Sequence, residues 1–122
     1  MRLLYVEDDR INTLLFEETC RLAGTLEVRS VDCGADAVAI ASDYRPDVLV
    51  IDLNLPDTDG YQLLGKLREL AGLARTPAFL CSAEVPDVVA EPAARAGFTG
   101  CWPKPVRLDD ILADLDRLRF EN

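Results

Sequence analysis

Short apolar runs that end in polar residues alternate with longer segments of helical period, and the alternation repeats five times along the chain. That is the pattern of strand-helix units on a parallel sheet. The first unit pairs a strand near Arg2 to Val6 with a helix near Arg10 to Ala23. In that helix Ile11, Leu14, Leu15 and Leu22 share a face, the stripe an amphipathic helix turns toward a core, and Gly24 marks its end. The second pairs Leu26 to Val31 with an Ala-rich helix around Ala35 to Ser42.

The third strand, Val48-Leu49-Val50-Ile51, is apolar at successive positions, as a central parallel strand buried on both faces should be. Its helix runs from about Tyr61 to Ala71. The fourth strand, Ala78 to Cys81, precedes a weak helix that carries Pro86 and Pro92 and is expected to start late or to kink. A short strand near Gly100 to Trp102 leads through Pro103-Lys104-Pro105 into a last helix, Leu108 to Leu118, with Ile111, Leu112 and Leu115 facing inward. The natural packing is an α/β doubly wound sheet of five parallel strands in flavodoxin-like order 2-1-3-4-5 with five helices, its crevice at the carboxyl ends of the first and third strands.

At 122 residues and 49% apolar the chain has the length of one domain with its own core, so a single domain over 1–122 is expected. The sequence shows no linker after the last helix, so no output domain is expected on this chain. Lys and Arg total 13 against 22 Asp and Glu, a formal charge of -9. This argues against direct nucleic-acid binding and against an anionic membrane surface, and favours a cation or a basic protein face. The opening apolar run is too short for a signal-peptide core or a membrane span, which points to the cytoplasm. Four cysteines at 20, 33, 81 and 101 lack C-x-x-C spacing and read as small hydrophobes in a reducing compartment. With no histidine in the chain, imidazole acid/base chemistry, histidine metal ligands and Ser-His-Asp triads are excluded.

The chemistry that remains is carboxylate, hydroxyl, thiol and lysine. The first strand ends in Glu7-Asp8-Asp9 and the third in Asp52, and in the expected order these strands are neighbours. Carboxylates packed a few ångströms apart repel unless a cation neutralises them, so the cluster suggests a metal. Hard oxygen ligands favour Mg²⁺, with Mn²⁺ possible. Taken singly, each residue has a blander reading: Glu7, Asp8 and above all Asp9 as caps of the first helix, Asp52 as a turn residue, Ser82 as a cap, Lys104 as a solvated charge. Together they suit phosphoryl transfer, with an aspartate nucleophile, a metal and a lysine on the phosphoryl oxygens, and a hydroxyl donor.

The stretches Val6-Glu7-Asp8-Asp9, Ile51-Asp52-Leu53-Asn54-Leu55-Pro56-Asp57-Thr58-Asp59-Gly60, Cys81-Ser82-Ala83 and Lys104-Pro105 resemble the response-regulator receiver family across essentially the whole chain. The resemblance implies phosphorylation at Asp52 and Mg²⁺ held by Asp8, Asp52 and the Asn54 backbone carbonyl, with Glu7 acting at the metal through water. It implies that Ser82 and Lys104 hold the phosphoryl group, that the Lys104-Pro105 bond is of a kind typically cis, and that Pro56, Asp57 and Gly60 shape the loop after the acceptor. It also implies a donor that is a histidine kinase or histidine phosphotransfer protein, and a downstream target protein or output domain. Such a chain promotes its own phosphorylation and dephosphorylation and is not a conventional turnover enzyme. One departure concerns the switch: the family usually carries an aromatic residue three positions before the lysine, where this chain has Cys101. Trp102 cannot stand in for it, because adjacent strand residues face opposite sides. Pro92 and Pro103 add to the expectation that the coupling from Ser82 outward is altered.

The alternative is a pseudo-receiver, an interaction module that keeps the fold without taking phosphate. A haloacid-dehalogenase-like phosphatase would need an acid two residues after the nucleophile, where Asn54 stands. A flavin or nucleotide site would need a glycine-rich loop where this chain is acidic.

Overall fold

Five strands, β1 (Arg2–Val6), β2 (Glu27–Val31), β3 (Val48–Asp52), β4 (Ala78–Ser82) and β5 (Gly100–Pro103), alternate with five helices. The helices are α1 (Arg10–Ala23), α2 (Gly34–Tyr44), α3 (Gly60–Arg68), α4 (Pro86–Ala96) and α5 (Leu108–Glu121). The computed structural model describes residues 1–84 and 86–121. The strands pair in parallel in the order β2-β1-β3-β4-β5, as the sequence pattern predicts.

Strand alternation divides the core between the two faces of the sheet. On one face Leu4, Val6, Leu49, Ile51 and Leu80 pack with Ala37 and Ala41 of α2, Leu63, Leu64 and Leu67 of α3, and Val89 and Ala93 of α4. On the other, Leu3, Tyr5, Val50, Phe79, Cys81 and Trp102 pack with Phe16 and Cys20 of α1 and Ile111 and Leu115 of α5. β3 and β4 are buried at every position because helices cover both faces, whereas the edge strand β2 exposes Glu27 and Arg29.

The core face of α1 is not the one its leucines suggest. Ile11, Leu14, Leu15 and Leu22 are exposed, at 70%, 51%, 51% and 66%, while Phe16 and Cys20 are buried. The short turn from Val6 through Asp9 sets the rotational phase of the helix, and that phase lays Phe16 flat on Tyr5 with ring centroids 4.0 Å apart. The helix therefore carries two apolar stripes, and backbone connection decides which is covered. In α5, Ile111 and Leu115 are buried as expected, but Leu112 lies off the stripe at 36% exposure.

α3 ends earlier than expected, and α4 starts at the first of its two prolines, not late. α3 stops at Arg68, three residues early, because the chain turns: Glu69 N donates to the Lys66 carbonyl and Leu70 N to that of Leu67. α4 begins at Pro86, where the missing N–H costs no helical bond, and continues through Pro92. Pro92 leaves the Val88 carbonyl without its helical donor, but Val88 is largely exposed and water reaches that turn.

Arg68 closes the end of α3 in a way the sequence does not signal. Its guanidinium donates to the Leu73 carbonyl at 3.0 Å, to the Gly97 carbonyl at 3.2 Å, and to the Thr76 carbonyl. It thus ties the loop before β4 to the turn after α4. Arg68→Ala is expected to lower stability by about 2 kcal/mol, since three carbonyls lose a charged donor and part of the loss is recovered by water. A urea midpoint unchanged from wild type would refute this role.

Candidate functional site

The parallel order brings the carboxyl ends of β1 and β3 side by side, and each strand runs straight into an acid. Glu7 follows β1, held by its N–H to the Val31 carbonyl at 3.0 Å, and Asp52 is the last residue of β3. Glu7, Asp8 and Asp52 each place a carboxylate oxygen within 4.8 Å of the others. Glu7 and Asp52 are buried, and Asp8 is exposed at the rim.

Lys104 reaches this group from the end of β5. Its Nζ lies 2.6 Å from Glu7 Oε1 and 2.8 Å from Asp52 Oδ1, with 14% of its side chain exposed. Its backbone N–H donates to the Ser82 carbonyl at 3.0 Å, which holds the residue beside the end of β4, and the Lys104-Pro105 peptide is cis. Burial opposes the ammonium charge, but hydrogen bonds to Asp52 and Glu7 prevail and raise the lysine pKa. Burial, reinforced by the Asp52 carboxylate beside it, pushes Glu7 up to about 7 against the pull of Lys104.

Asp9 does not join the cluster. Its carboxylate caps α1, accepting from Ile11 N at 2.8 Å and Asn12 N at 3.2 Å, in line with the cap reading of that residue. Ser82 ends β4, buried beside the acids, and its Oγ accepts from Glu84 N at 3.0 Å. A hydroxyl that accepts one bond still has its proton to donate.

The loop after Asp52 is folded back tightly. Leu53 N donates to the Cys81 carbonyl at 3.0 Å, Gly60 N to the Leu53 carbonyl at 2.8 Å, and Asn54 pairs with Asp59 in a short antiparallel bridge. Gly60 is required by closeness: a Cβ there would stand 2.8 Å from the Asp52 carbonyl oxygen and 2.9 Å from Leu80 Cδ1. Asp59 caps α3 by accepting from Gln62 N at 2.8 Å.

Cys101 and Trp102 face opposite sides of β5, as strand alternation requires. Cys101 is half-buried against the core shared with α3 and α4. Trp102 is buried on the other face, stacked on Phe79 with centroids 4.4 Å apart, and its Nε1 donates to Asp114 Oδ2 at 2.7 Å. Sequence reasoning missed that tie to α5, and it missed a second one. The Asp57 carboxylate accepts from Gly34 N at 2.8 Å and Ala35 N at 2.9 Å, so the loop after Asp52 caps α2. The available signal was Cys33, a poor capping residue ahead of a helix.

Comparison with known proteins agrees with this arrangement. Residues 3–116 match the response regulator receiver domain family. The transcriptional regulatory protein KdpE of Mycobacterium tuberculosis is 32% identical over 115 residues, covering 94% of this chain and 50% of that protein. The sensor histidine kinase RcsC of Escherichia coli is 31% identical over 111 residues, covering 91% of this chain and 11% of RcsC. The chain thus spans half or less of these relatives. Among solved structures, the receiver domain of the sensor histidine kinase PA1611 from Pseudomonas aeruginosa superposes with a TM-score of 0.84 at 28% identity. That match covers 95% of this chain and 94% of the other, and the Pseudomonas domain has a magnesium ion coordinated in its active site cleft. Family match, strand order and the acids at the strand ends agree, and the chain belongs to the response regulator receiver domain family, the phosphoacceptor switches of two-component signalling.

Proposed function

We propose that the chain takes a phosphoryl group on Asp52 from a histidine kinase or histidine phosphotransfer protein, with Mg²⁺ or Mn²⁺ beside the acceptor. The observation that carries this reading is the convergence of Glu7, Asp8, Asp52 and Lys104 at one end of the sheet. A cluster of that kind is unfavourable for folding alone and suits a site for an anionic group bound with a cation.

The donor set fits a hard divalent cation. It is all oxygen, and Glu7 Oε2 is buried without a hydrogen-bond partner, an acceptor aimed at a group of positive charge or at its water. Asp8, Asp52 and the Asn54 backbone carbonyl would hold the ion directly, and Glu7 through water. When bound, the cation supplies neutralisation of charge on the phosphoryl oxygens.

An Asp52 carboxylate oxygen attacks phosphorus while the bond to the donor imidazole nitrogen breaks, and that nitrogen keeps the electron pair. Lys104, already in contact with the Asp52 carboxylate, stays with the negative charge as it passes to the phosphoryl group. Ser82 donates its hydroxyl proton to a phosphoryl oxygen. Hydrolysis of the acyl phosphate resets the site, so the chain acts as a switch more than as a turnover enzyme. Cys101 holds the switch position with a small thiol, and the signal leaves Ser82 with less lever than an aromatic ring would give.

The receiving partner is a target protein or an output domain, not nucleic acid, given the net charge of -9. Among the described residues no helix is long and apolar enough to cross a membrane, in keeping with a cytoplasmic site of action.

The test is incubation with acetyl phosphate, with Mg²⁺ and with chelator, read by intact mass. One Mg²⁺-dependent phosphoryl adduct is expected, and none in Asp52→Asn. An adduct that survives Asp52→Asn would overturn the assignment, and Mg²⁺ binding without any adduct would make the chain an interaction module.

A further inference from the structure

The loop that leaves β3 is anchored at its base by the sheet and α3, through the Leu53, Asn54, Asp59 and Gly60 contacts already described. Its tip is a turn, with Leu55 N donating to the Thr58 carbonyl at 3.1 Å. What fixes the tip to the rest of the fold is Asp57, whose two carboxylate oxygens take the successive N–H groups of Gly34 and Ala35. We infer that Asp57 is a positioning residue for the cation. By docking this turn on the amino end of α2 it adds a second support, beyond the Asn54–Asp59 bridge, to the segment that carries the Asn54 carbonyl, and it couples cation occupancy to the first turn of α2.

Two independent observations support the docking as a built feature. The residue at the N-cap of α2, Cys33, makes no side-chain cap bond, so the acceptor for this helix comes from another part of the chain. Gly34 leaves the necessary room, since a Cβ there would stand 2.7 Å from Thr58 Cγ2 and 3.3 Å from Asp57 Oδ1. The two backbone N–H groups also hold the Asp57 carboxyl below its usual range, which marks a bond to the charged form at a helix amino end.

Asn54 sits three positions before this anchor, on the exposed side of the loop. An unanchored tip would have to be ordered each time a cation takes the Asn54 carbonyl, and that ordering would be charged against affinity. An anchored tip is ordered beforehand. Linkage makes the effect reciprocal: whatever α2 contributes to cation binding, the cation returns as protection of the α2 amino end.

The inference rests on the proposed reading of Asn54 as a ligand, and the test separates the two. Mg²⁺ affinity is measured by calorimetry for wild type, Asp57→Ala and Asp57→Asn. Amide exchange at Gly34 and Ala35 is followed by NMR with chelator and with Mg²⁺. Asp57→Ala is expected to bind Mg²⁺ roughly tenfold more weakly, the size of effect seen for residues that orient metal ligands, with Asp57→Asn in between. In wild type, Mg²⁺ is expected to slow exchange at Gly34 and Ala35. A residue with a merely structural role would shift the unfolding midpoint and leave both readouts unchanged. If wild type binds Mg²⁺ but Asp57→Ala matches it, or if exchange at α2 ignores the ion, the inference is overturned and the site reading stands. If wild type binds no Mg²⁺, the site reading falls and this falls with it. Should Asp57→Ala fail to fold, Asp57→Asn and wild-type exchange decide the matter.

Discussion

Lys104→Ala, in the presence of chelator, is expected to unfold about 3 kcal/mol more easily than wild type, and yet to bind Mg²⁺ more tightly. Both effects come from one arrangement: a lysine that is 14% exposed, in contact with two carboxylates whose side chains are 0% and 7% exposed. Removing it leaves two buried acids facing each other with no counter-charge. A unit charge 2.6 to 2.8 Å away contributes about 6 kcal/mol at an effective dielectric of 20, less what the lysine gave up in leaving water. Glu7, already pushed up to about 7, limits the loss by taking a proton. The same lysine repels a cation at Asp8 and Asp52, so its removal should strengthen Mg²⁺ binding roughly tenfold and make Mg²⁺ more stabilising than in wild type. Labelling by acetyl phosphate should nonetheless slow by about 10² or more, because the charge that follows the phosphoryl group is gone. Urea unfolding with chelator and with Mg²⁺ checks the first two effects. Equal stability in chelator, or weaker Mg²⁺ binding, would show that Lys104 is not the resident counter-charge.

The contrast between Lys104 and the helix faces shows what sequence carries. Strand positions, strand order and the set Glu7, Asp8, Asp52, Ser82 and Lys104 were legible because each depends on spacing. An acid that ends an apolar run in one of two neighbouring parallel strands can go nowhere but the shared crevice. The buried stripe of α1 was not legible, because a helix with leucines on one side and Phe16 and Cys20 on another has two candidate faces, and hydrophobicity alone ranks the wrong one first. The length of α3 depended on a turn at its end, closed by the Leu67 carbonyl, and that of α4 on a proline in its interior whose orphaned carbonyl lies near solvent. Asp57, Arg68 and the Trp102 to Asp114 bond stayed hidden for a common reason. Each joins residues distant in sequence through a backbone group or a polar side chain that leaves no periodic trace.

The second large effect concerns Glu7 and reverses the usual response of an acidic protein to pH. In chelator, the stability of wild type relative to Glu7→Gln is expected to fall as pH rises through the window from 4.5 to about 7, the ordinary and the folded values for this carboxyl. The folded state binds the Glu7 proton more tightly than the unfolded chain does, so its contribution is complete below the lower value and is lost by the upper one. The expected change is about 3 kcal/mol, from the free energy of a pKa shift of this size. Other groups do not imitate it: Asp57 is shifted down and so loses stability on acidification below this window, and Lys104 is shifted up from an already basic value. The glutamine variant keeps the shape and an oxygen for Lys104 but has nothing to titrate, so at about pH 8 in chelator it should be the more stable protein. Mg²⁺ should reverse that order, because the charged carboxylate is then an asset that glutamine cannot supply. Unfolding curves for the two proteins that run parallel from about pH 5 to about pH 8 in chelator would refute the buried-acid argument. If they diverge as expected and Mg²⁺ closes the gap, the folding free energy lost at Glu7 is recovered in cation binding, which is the balance expected where an acid is buried for function.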